Sequence, residues 1–306
     1  MTVKRDLYSA SVENSAKTVL SASRRTDIPA FYLDWFLSCL ERRRFDVENP
    51  FSRKTKTFGF VSSDIHSIVF WSKNYTPLLE SKIPLEDFNL FFHFTINTPV
   101  PLLEPGVPPL EDRLTQAGKL ADWRGPDKLM WRFDPVVVWE KNGIRESNLS
   151  SFLKIAGELT RIGVRRLTIS AMDRYRKIDV RTRGLPGFEF VYPAAAEFAE
   201  LIRPYIEAAL EMGTEVSLCC EKELLAILSP LPVKQGKCIN GELLNDLFGP
   251  GADLTTDRGQ RRQYGCGCTL SFDVGSYALQ PCMNNCLYCY ANPERKAAKK
   301  RSQADA

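Results

Sequence analysis

Hydrophobic and polar positions along this chain keep two alternating periods. Short apolar or alternating runs at Lys17 to Ser23, Ser67 to Ser72, Asn89 to Asn97, Leu129 to Phe133, Arg165 to Ala171, Glu215 to Cys220 and Thr269 to Val274 predict seven strands. Helical spacing fills much of the intervening chain. Phe31, Trp35, Phe36 and Leu40 predict a helix over Ile28 to Phe45, and shorter patterns predict helices over Thr76 to Leu79 and Leu110 to Asp122. Glu146 to Ile162, stopped by Gly163, and Pro193 to Met212, stopped by Gly213, complete the helical set. Val47 to Ser62, with Asn49-Pro50, reads as a loop or small hairpin, and Pro99 to Pro109 as an extended loop. Pro135 marks a bend or the end of its strand. Asp173 to Gly187 is a charged loop long enough for a lid, and the residues from Asn292 read as a short basic helix with a frayed end.

Strands separated by helices in this order predict an α/β fold with a parallel sheet, a complete or partial (β/α) TIM-like barrel spanning residues 1–306 as one domain. Alternation splits each strand into two faces. Leu90, Phe92, Phe94 and Ile96 suit the helix-packed exterior, which turns Phe91, His93, Thr95 and Asn97 inward. The same split turns Trp71 and Lys73, Arg132 and Asp134, Thr168 and Ser170, Ser217 and Glu221, and Ser271 and Asp273 inward. A packed barrel would place Val, Ile and Leu there, so this polar set implies a lumen that holds a ligand and water. Strand-end charges rank as candidate catalytic groups: Arg25 and Asp27, Lys73 and Asn74, Arg132 and Asp134, Asp173, Glu221, then Asp273. The plainer alternatives are a structural Arg132–Asp134 pair, a core His93, and Trp71 and Trp131 as packing residues that also wall the cavity.

Composition narrows the setting. At 306 residues and 44% hydrophobic content the chain can bury a full core. No run approaches the roughly 18 apolar residues of a membrane span, and residues 1–17 lack the apolar centre of a secretory signal, so no membrane and a cytoplasmic location are expected. Nine cysteines, an odd number crowded from Cys219 onward, fit reduced thiols and metal ligation better than a disulfide framework. The net charge of +4 gathers in Arg42-Arg43-Arg44, Arg165-Arg166, Arg261-Arg262 and Arg295 to Arg301, solvated faces that also license non-specific attraction to nucleic acid.

The sharpest chemistry lies in a cysteine-rich segment at 264–292. Cys282, Cys286 and Cys289 stand at C-x3-C-x2-C spacing, with Tyr288 before the last thiol. Three thiolates on so short a loop reach one face of an iron–sulfur cluster and leave a fourth iron open, whereas structural zinc usually recruits a fourth protein ligand. An accidental excess of cysteine is the competing explanation. Cys220, Cys238, Cys266 and Cys268 form a second set, read either as an auxiliary iron–sulfur cluster or zinc site or as buried thiols acting as small hydrophobes.

This triad resembles the cluster loop of radical S-adenosylmethionine enzymes, and Tyr288-Cys289-Tyr290-Ala291 is similar to the spore photoproduct lyase variety. Over most of its length the chain also resembles a bacterial family known as domain of unknown function 1848. Its landmarks are Ser23 to Pro29, Asn49-Pro50, Phe70 to Asn74, Trp131 to Pro135 and the closing cysteines. The radical-enzyme resemblance implies a [4Fe-4S] cluster on Cys282, Cys286 and Cys289, with S-adenosylmethionine on the open iron. It also implies a reductant such as flavodoxin or ferredoxin, and a deoxyadenosyl radical that attacks a small or macromolecular substrate. Tyr288, Tyr290, Asp273 and Asn97 would lie near the cosubstrate, and Arg25, Asp27, Lys73, Arg132, Asp134 and Glu221 near the reaction. In that superfamily the cluster loop follows the first strand; here it follows the last, and no Gly-Gly-Glu turn follows the first strand, so a circularly permuted barrel is expected. Rival readings are a non-catalytic iron–sulfur or zinc sensor associated with nucleic acid, and a metal-dependent hydrolase, for which two histidines supply few ligands.

Overall fold

A computed structural model describes residues 16–49, 52, 54–81 and 85–291. Strand β1 (Thr18–Ala22) feeds α1 (Ile28–Phe31) and α2 (Leu33–Glu41), then the hairpin β2 (Arg44–Glu48) and β3 (Thr55–Gly59). There follow β4 (Ile65–Ser72), α3 (Thr76–Glu80), β5 (Leu90–Thr95), α4 (Leu110–Arg124), β6 (Leu129–Val136), β7 (Val138–Lys141), β8 (Ile144–Ser147) and α5 (Phe152–Arg161). The rest is β9 (Arg166–Ala171), α6 (Arg176–Thr182), β10 (Phe188–Val191), α7 (Ala195–Glu211), β11 (Glu215–Leu218), α8 (Lys222–Ile227), β12 (Lys234–Gln235), α9 (Gly241–Phe248) and β13 (Phe272–Asp273).

The seven expected strands are present within a few residues of their bounds, and a two-residue eighth, β12, joins them. Together they form one sheet in the order β12-β11-β9-β6-β5-β4-β1-β13, with every neighbouring pair parallel. Its end strands β12 and β13 do not pair, so the sheet is open and a complete barrel is not formed. The gap is spanned by loops instead: the Thr269 amide donates to the Ile239 carbonyl at 3.0 Å, and the Gly241 amide to Thr269 Oγ1 at 3.1 Å. No helix among the described residues is long and apolar enough to cross a membrane.

Several elements depart from the pattern for local reasons. The first helix breaks at Tyr32 and stops at Glu41, because Arg43 turns left-handed (φ 53°) and sends the chain into β2. Glu146 lies in β8 rather than a helix, its carboxylate accepting from Trp139 Nε1 at 2.8 Å across the β7–β8 hairpin. The expected lid contains α6. The expected C-terminal helix lies outside the described residues.

Alternation assigns the faces correctly. Leu90, Phe92, Phe94 and Ile96 join Trp131, Phe133 and Phe152 in the core beneath the helices. Trp131 therefore packs on the helix side and does not wall the cavity. On the opposite face Val19, Val69, Phe91 and Met130 pack against Ile239, Leu244, Ala252 and Cys268, so the chain fills part of the expected lumen with its own residues. Helix α9 makes this plug possible, its first turn capped by Asn240 Oδ1 accepting from the Leu243 amide at 3.3 Å.

His93 sits at the boundary between plug and open lumen, fully buried, stacked on Trp71 at 4.8 Å and donating from Nε2 to the Cys238 carbonyl at 2.7 Å. Burial and the nearby Arg132 guanidinium lower its pKa to about 4. The folded chain therefore holds a neutral imidazole while the unfolded chain takes up a proton near pH 6.5. Stability is complete above pH 6.5 and falls as pH drops towards 4, by on the order of 3 kcal/mol. Urea unfolding of wild type and His93→Gln at pH 7.5 and 4.5 checks this: the variant is expected to lose less stability on acidification, and an equal loss contradicts it.

Candidate functional site

A cavity of about 340 Å³ opens where the parallel strands end. Its wall takes residues from the C-terminal ends of β1, β4, β5, β6, β9 and β11 and from the segments around β12 and β13, as expected of a parallel α/β sheet. Eight of the nine cysteines line it; Cys39 on α2 is the exception. All nine are free thiols.

The C-x3-C-x2-C loop is held from several sides. The Leu287 amide donates to the Leu103 carbonyl at 2.7 Å, and the Gly106 amide to the Asn284 carbonyl at 3.0 Å. Gly106 is required by this approach, since a Cβ there would lie 2.5 Å from the Met283 carbonyl oxygen. From α6, Arg181 donates to the carbonyls of Cys286, Leu287 and Cys289 at 3.0, 2.6 and 3.0 Å. The helix expected as a lid thus clamps the cysteine loop. Backbone amides also reach sulfur: those of Asn284 and Asp27 donate to Cys282, and that of Ala291 to Cys289 Sγ at 3.3 Å. Burial, reinforced by Asp27, pushes the Cys282 thiol up to about 12. Burial also raises Cys286 well above the ordinary thiol range, with Lys73 pulling the other way.

The second set holds five thiols, not four. Cys219 Sγ lies 3.5 Å from Cys238 Sγ and 4.0 Å from Cys220 Sγ. Cys268 contacts Cys238 and Cys266, and Cys266 contacts Cys220, which closes a ring of sulfurs. Alternation would send Cys219 and Cys220 to opposite faces, but Cys220 adopts φ 62° and both thiols reach the cavity. Thiol donors from Cys219 and Cys268 push Cys238 well below the ordinary range, and Arg132 Nη1 donates to its sulfur at 3.1 Å. Among the described residues no group of three or more His, Cys, Asp or Glu side chains stands in an arrangement that could hold a metal ion without adjustment; the ring contacts run pairwise.

Charged side chains on the wall are paired. Asp27 accepts from the Ala30 amide, Ser72 Oγ, the Lys73 amide and Asn284 Nδ2 at 3.1, 2.6, 2.9 and 2.9 Å. Burial raises its pKa against the pull of these donors. Arg132 forms the expected pair with Asp134, through Nε at 3.0 Å, and Ser170 donates to the other carboxylate oxygen. Burial opposes the Asp134 carboxylate, yet Arg132 and Ser170 hold its pKa below the usual range. Lys73 Nζ meets Glu104 at 2.8 Å, and Tyr288 donates to the same carboxylate.

The structure therefore places Arg25, Asp27, Lys73, Arg132, Asp134, Tyr288 and Tyr290 on one cavity with both thiol sets, and Asp173 as well. Three expected residues stand behind the wall. Asp273 accepts from Arg25 Nε at 3.1 Å and from the Arg24 amide at 3.1 Å. Asn97 bridges Glu104 and the Asp134 amide at 2.9 and 3.0 Å. Glu221, raised to about 7 by burial, accepts from the Ala171 amide at 2.8 Å. Asn74 Oδ1 accepts from the amide of Thr76, the first residue of α3, at 3.0 Å. Glu104, Arg113, Arg24, Asn284 and Cys219 were not singled out from sequence. Arg113 had a signal, since it occupies the apolar stripe of α4 with Leu110, Ala117 and Leu120. The basic runs are partly neutralised: Arg44 pairs with Asp46 and Arg261 with Asp173, while Arg295 to Arg301 lie outside the described residues.

Fold and site together define an α/β protein whose open parallel sheet presents a thiol-lined, internally charge-paired cavity at its strand ends. The chain belongs to the family described as Domain of unknown function (DUF1848), which it matches over residues 19–291. No curated protein and no solved structure matches it.

Because Gly106 meets the cysteine loop backbone to backbone, Gly106→Ala must displace Met283 and Asn284 without altering any thiol. Solvent-accessible thiol counting in the native state is expected to rise relative to wild type, with a loss of roughly 1–3 kcal/mol in unfolding free energy. Unchanged thiol accessibility and stability would contradict the role given to this contact.

Proposed function

We propose that this chain is a radical S-adenosylmethionine enzyme that holds a [4Fe-4S] cluster through Cys282, Cys286 and Cys289 and acts on a substrate in the cavity. One observation carries the reading: three thiols of a single short loop border a cavity, with charged side chains on its wall, at the ends of a parallel sheet. The donor set fits the group. Each thiolate of such a triad ligates a different iron, which leaves one iron free for an outside ligand. Amide donors to Cys282 and the Lys73 ammonium beside Cys286 pull against the burial that raises both thiols, and the Ala291 amide reaches Cys289 Sγ at 3.3 Å.

Topology supports a permuted framework. Taken across the sheet from β13, the strands run β1, β4, β5, β6, β9, β11, β12, in chain order. The cysteine loop thus follows the last strand in sequence but the first in space, as a circularly permuted partial (β/α) barrel requires.

When bound, the cluster and S-adenosylmethionine supply a one-electron reductive cleavage that yields a radical able to remove hydrogen from a substrate, the electron coming from a flavodoxin- or ferredoxin-like donor. The chain's own residues position and enclose. Arg132, Asp134 and Ser170 offer a cation, a carboxylate and a hydroxyl on the wall, the complement of an amino-acid head group. Tyr288 is drawn below the loop by Glu104 and braces it, while the more exposed Tyr290 packs on Tyr175 at 5.5 Å near the mouth. Helix α6 closes the loop from outside through Arg181.

Chain reconstituted anaerobically with iron and sulfide, then given dithionite and S-adenosylmethionine, is expected to release 5′-deoxyadenosine. The variant with Cys282, Cys286 and Cys289 all changed to Ala should release none. Equal yields from the two proteins would refute the assignment.

A further inference from the structure

The ring of Cys219, Cys220, Cys238, Cys266 and Cys268 is not needed by the cluster loop, and its geometry differs from that of a cluster site. A cubane takes each thiolate at a separate iron corner, so its ligand sulfurs stand apart. A single tetrahedral ion with metal–sulfur bonds of about 2.3 Å instead places its sulfurs about 3.8 Å from one another. The contact between Cys219 and Cys238, at 3.5 Å, is close to that edge, and Cys219 and Cys220 stand 4.0 Å apart. Both separations are far longer than the roughly 2.05 Å of a disulfide.

We propose that this ring binds one thiophilic divalent ion of the zinc class in tetrahedral thiolate coordination, and that the ion staples the two open edges of the sheet. Cys219 and Cys220 follow β11, Cys238 follows β12, and Cys266 and Cys268 precede β13. The thiols therefore meet at the gap that strand hydrogen bonds leave open. Cys238, Cys266 and Cys268 are the constant ligands, one from the β12 side and two from the β13 side. Cys219, which touches Cys238, and Cys220, which touches Cys266, share the fourth position.

The surroundings are those of ligating sulfur. The Ile239 amide donates to Cys268 Sγ at 3.4 Å, the Cys268 amide to Cys266, and Arg132 Nη1 to Cys238 Sγ at 3.1 Å. Donors of this kind orient thiolates and offset their charge. The left-handed Cys220, a conformation unfavourable to a side chain, persists where it brings two adjacent thiols to one side. Each ligating thiol gives up its proton to solvent as the ion enters, and no electron is transferred. The proposal stands independently of the radical-enzyme reading.

The test uses the full chain carrying Cys282→Ser, Cys286→Ser and Cys289→Ser, stripped of metal and titrated with Co²⁺. A sulfur-to-cobalt charge-transfer band with tetrahedral d–d absorption should grow to saturation at one equivalent and be displaced by Zn²⁺. Adding Cys238→Ser and Cys268→Ser should abolish it. Absence of the band, or its survival in the five-fold variant, overturns the proposal. In the unmutated chain, alkylation mapped by mass spectrometry should show Cys238, Cys266 and Cys268 slowed manyfold by Zn²⁺ and released by chelator; equal rates with and without Zn²⁺ also overturn it.

Discussion

The Asp27 carboxylate joins three parts of the chain that lie far apart in sequence. It caps the first turn of α1, receives Ser72 and the Lys73 amide from the end of β4, and takes Asn284 from the cysteine loop. Residue 284 lies beyond the last strand, yet β13 pairs with β1, so the loop returns beside the segment that carries Asp27. A carboxylate removed from water persists only when it is fully hydrogen-bonded, and here four donors converge on it. The position of the thiols relative to the sheet depends on that convergence.

A parallel sheet sends all its strand ends to one side, and this chain puts its buried charges there. Arg132 with Asp134 sits at β6, Lys73 with Glu104 at β4, and Arg25 with Asp273 joins β1 to β13. Such pairs contribute little net stability, because desolvation offsets their attraction, but each fixes the register of groups around it. The Lys73 site is unbalanced. Arg113 is enclosed nearby, none of its three side-chain nitrogens has a hydrogen-bond partner among the described residues, and its electrostatic neighbours are Glu104, Tyr288 and Cys286. Two cations face one carboxylate, which leaves a positive excess beside Cys286. An anionic sulfur at that position would balance it, as ligation of a metal cluster supplies.

Much of this was legible in the sequence because strands have a period of two. The inward set on β5 and β6, with Thr168 and Ser170 on β9, follows from alternation alone, whereas the expected polar lumen is in part an apolar plug of Val19, Val69, Phe91 and Met130 against Ile239 and Leu244. What escaped did so for physical reasons. Cys219 is not in the expected second set, and strand alternation would place it opposite to Cys220, since a left-handed φ is not written in a Cys-Cys pair. Strand β12 is two residues long, too short to show a period. The β7–β8 hairpin also went unread, although it carried a signal: Asn142-Gly143, both at positive φ, is the turn that such a hairpin favours. Helix α9 was likewise not expected, though Asn240 before it and Gly249 after it are its start and stop signals. Its consequence, a plug that leaves only the strand ends hollow, needed the tertiary arrangement.

Two thiol sets border one cavity, and the proposals give them metal-binding roles of different kind. Anomalous diffraction from crystals of the anaerobically reconstituted, zinc-supplemented chain, recorded at the iron and zinc edges, addresses that directly. It should place a compact iron peak against Cys282, Cys286 and Cys289 and a separate zinc peak among Cys238, Cys266 and Cys268, both on the wall that Arg132 and Asp134 share. Iron absent from the triad, or sulfurs of that loop turned away from the cavity, would contradict it.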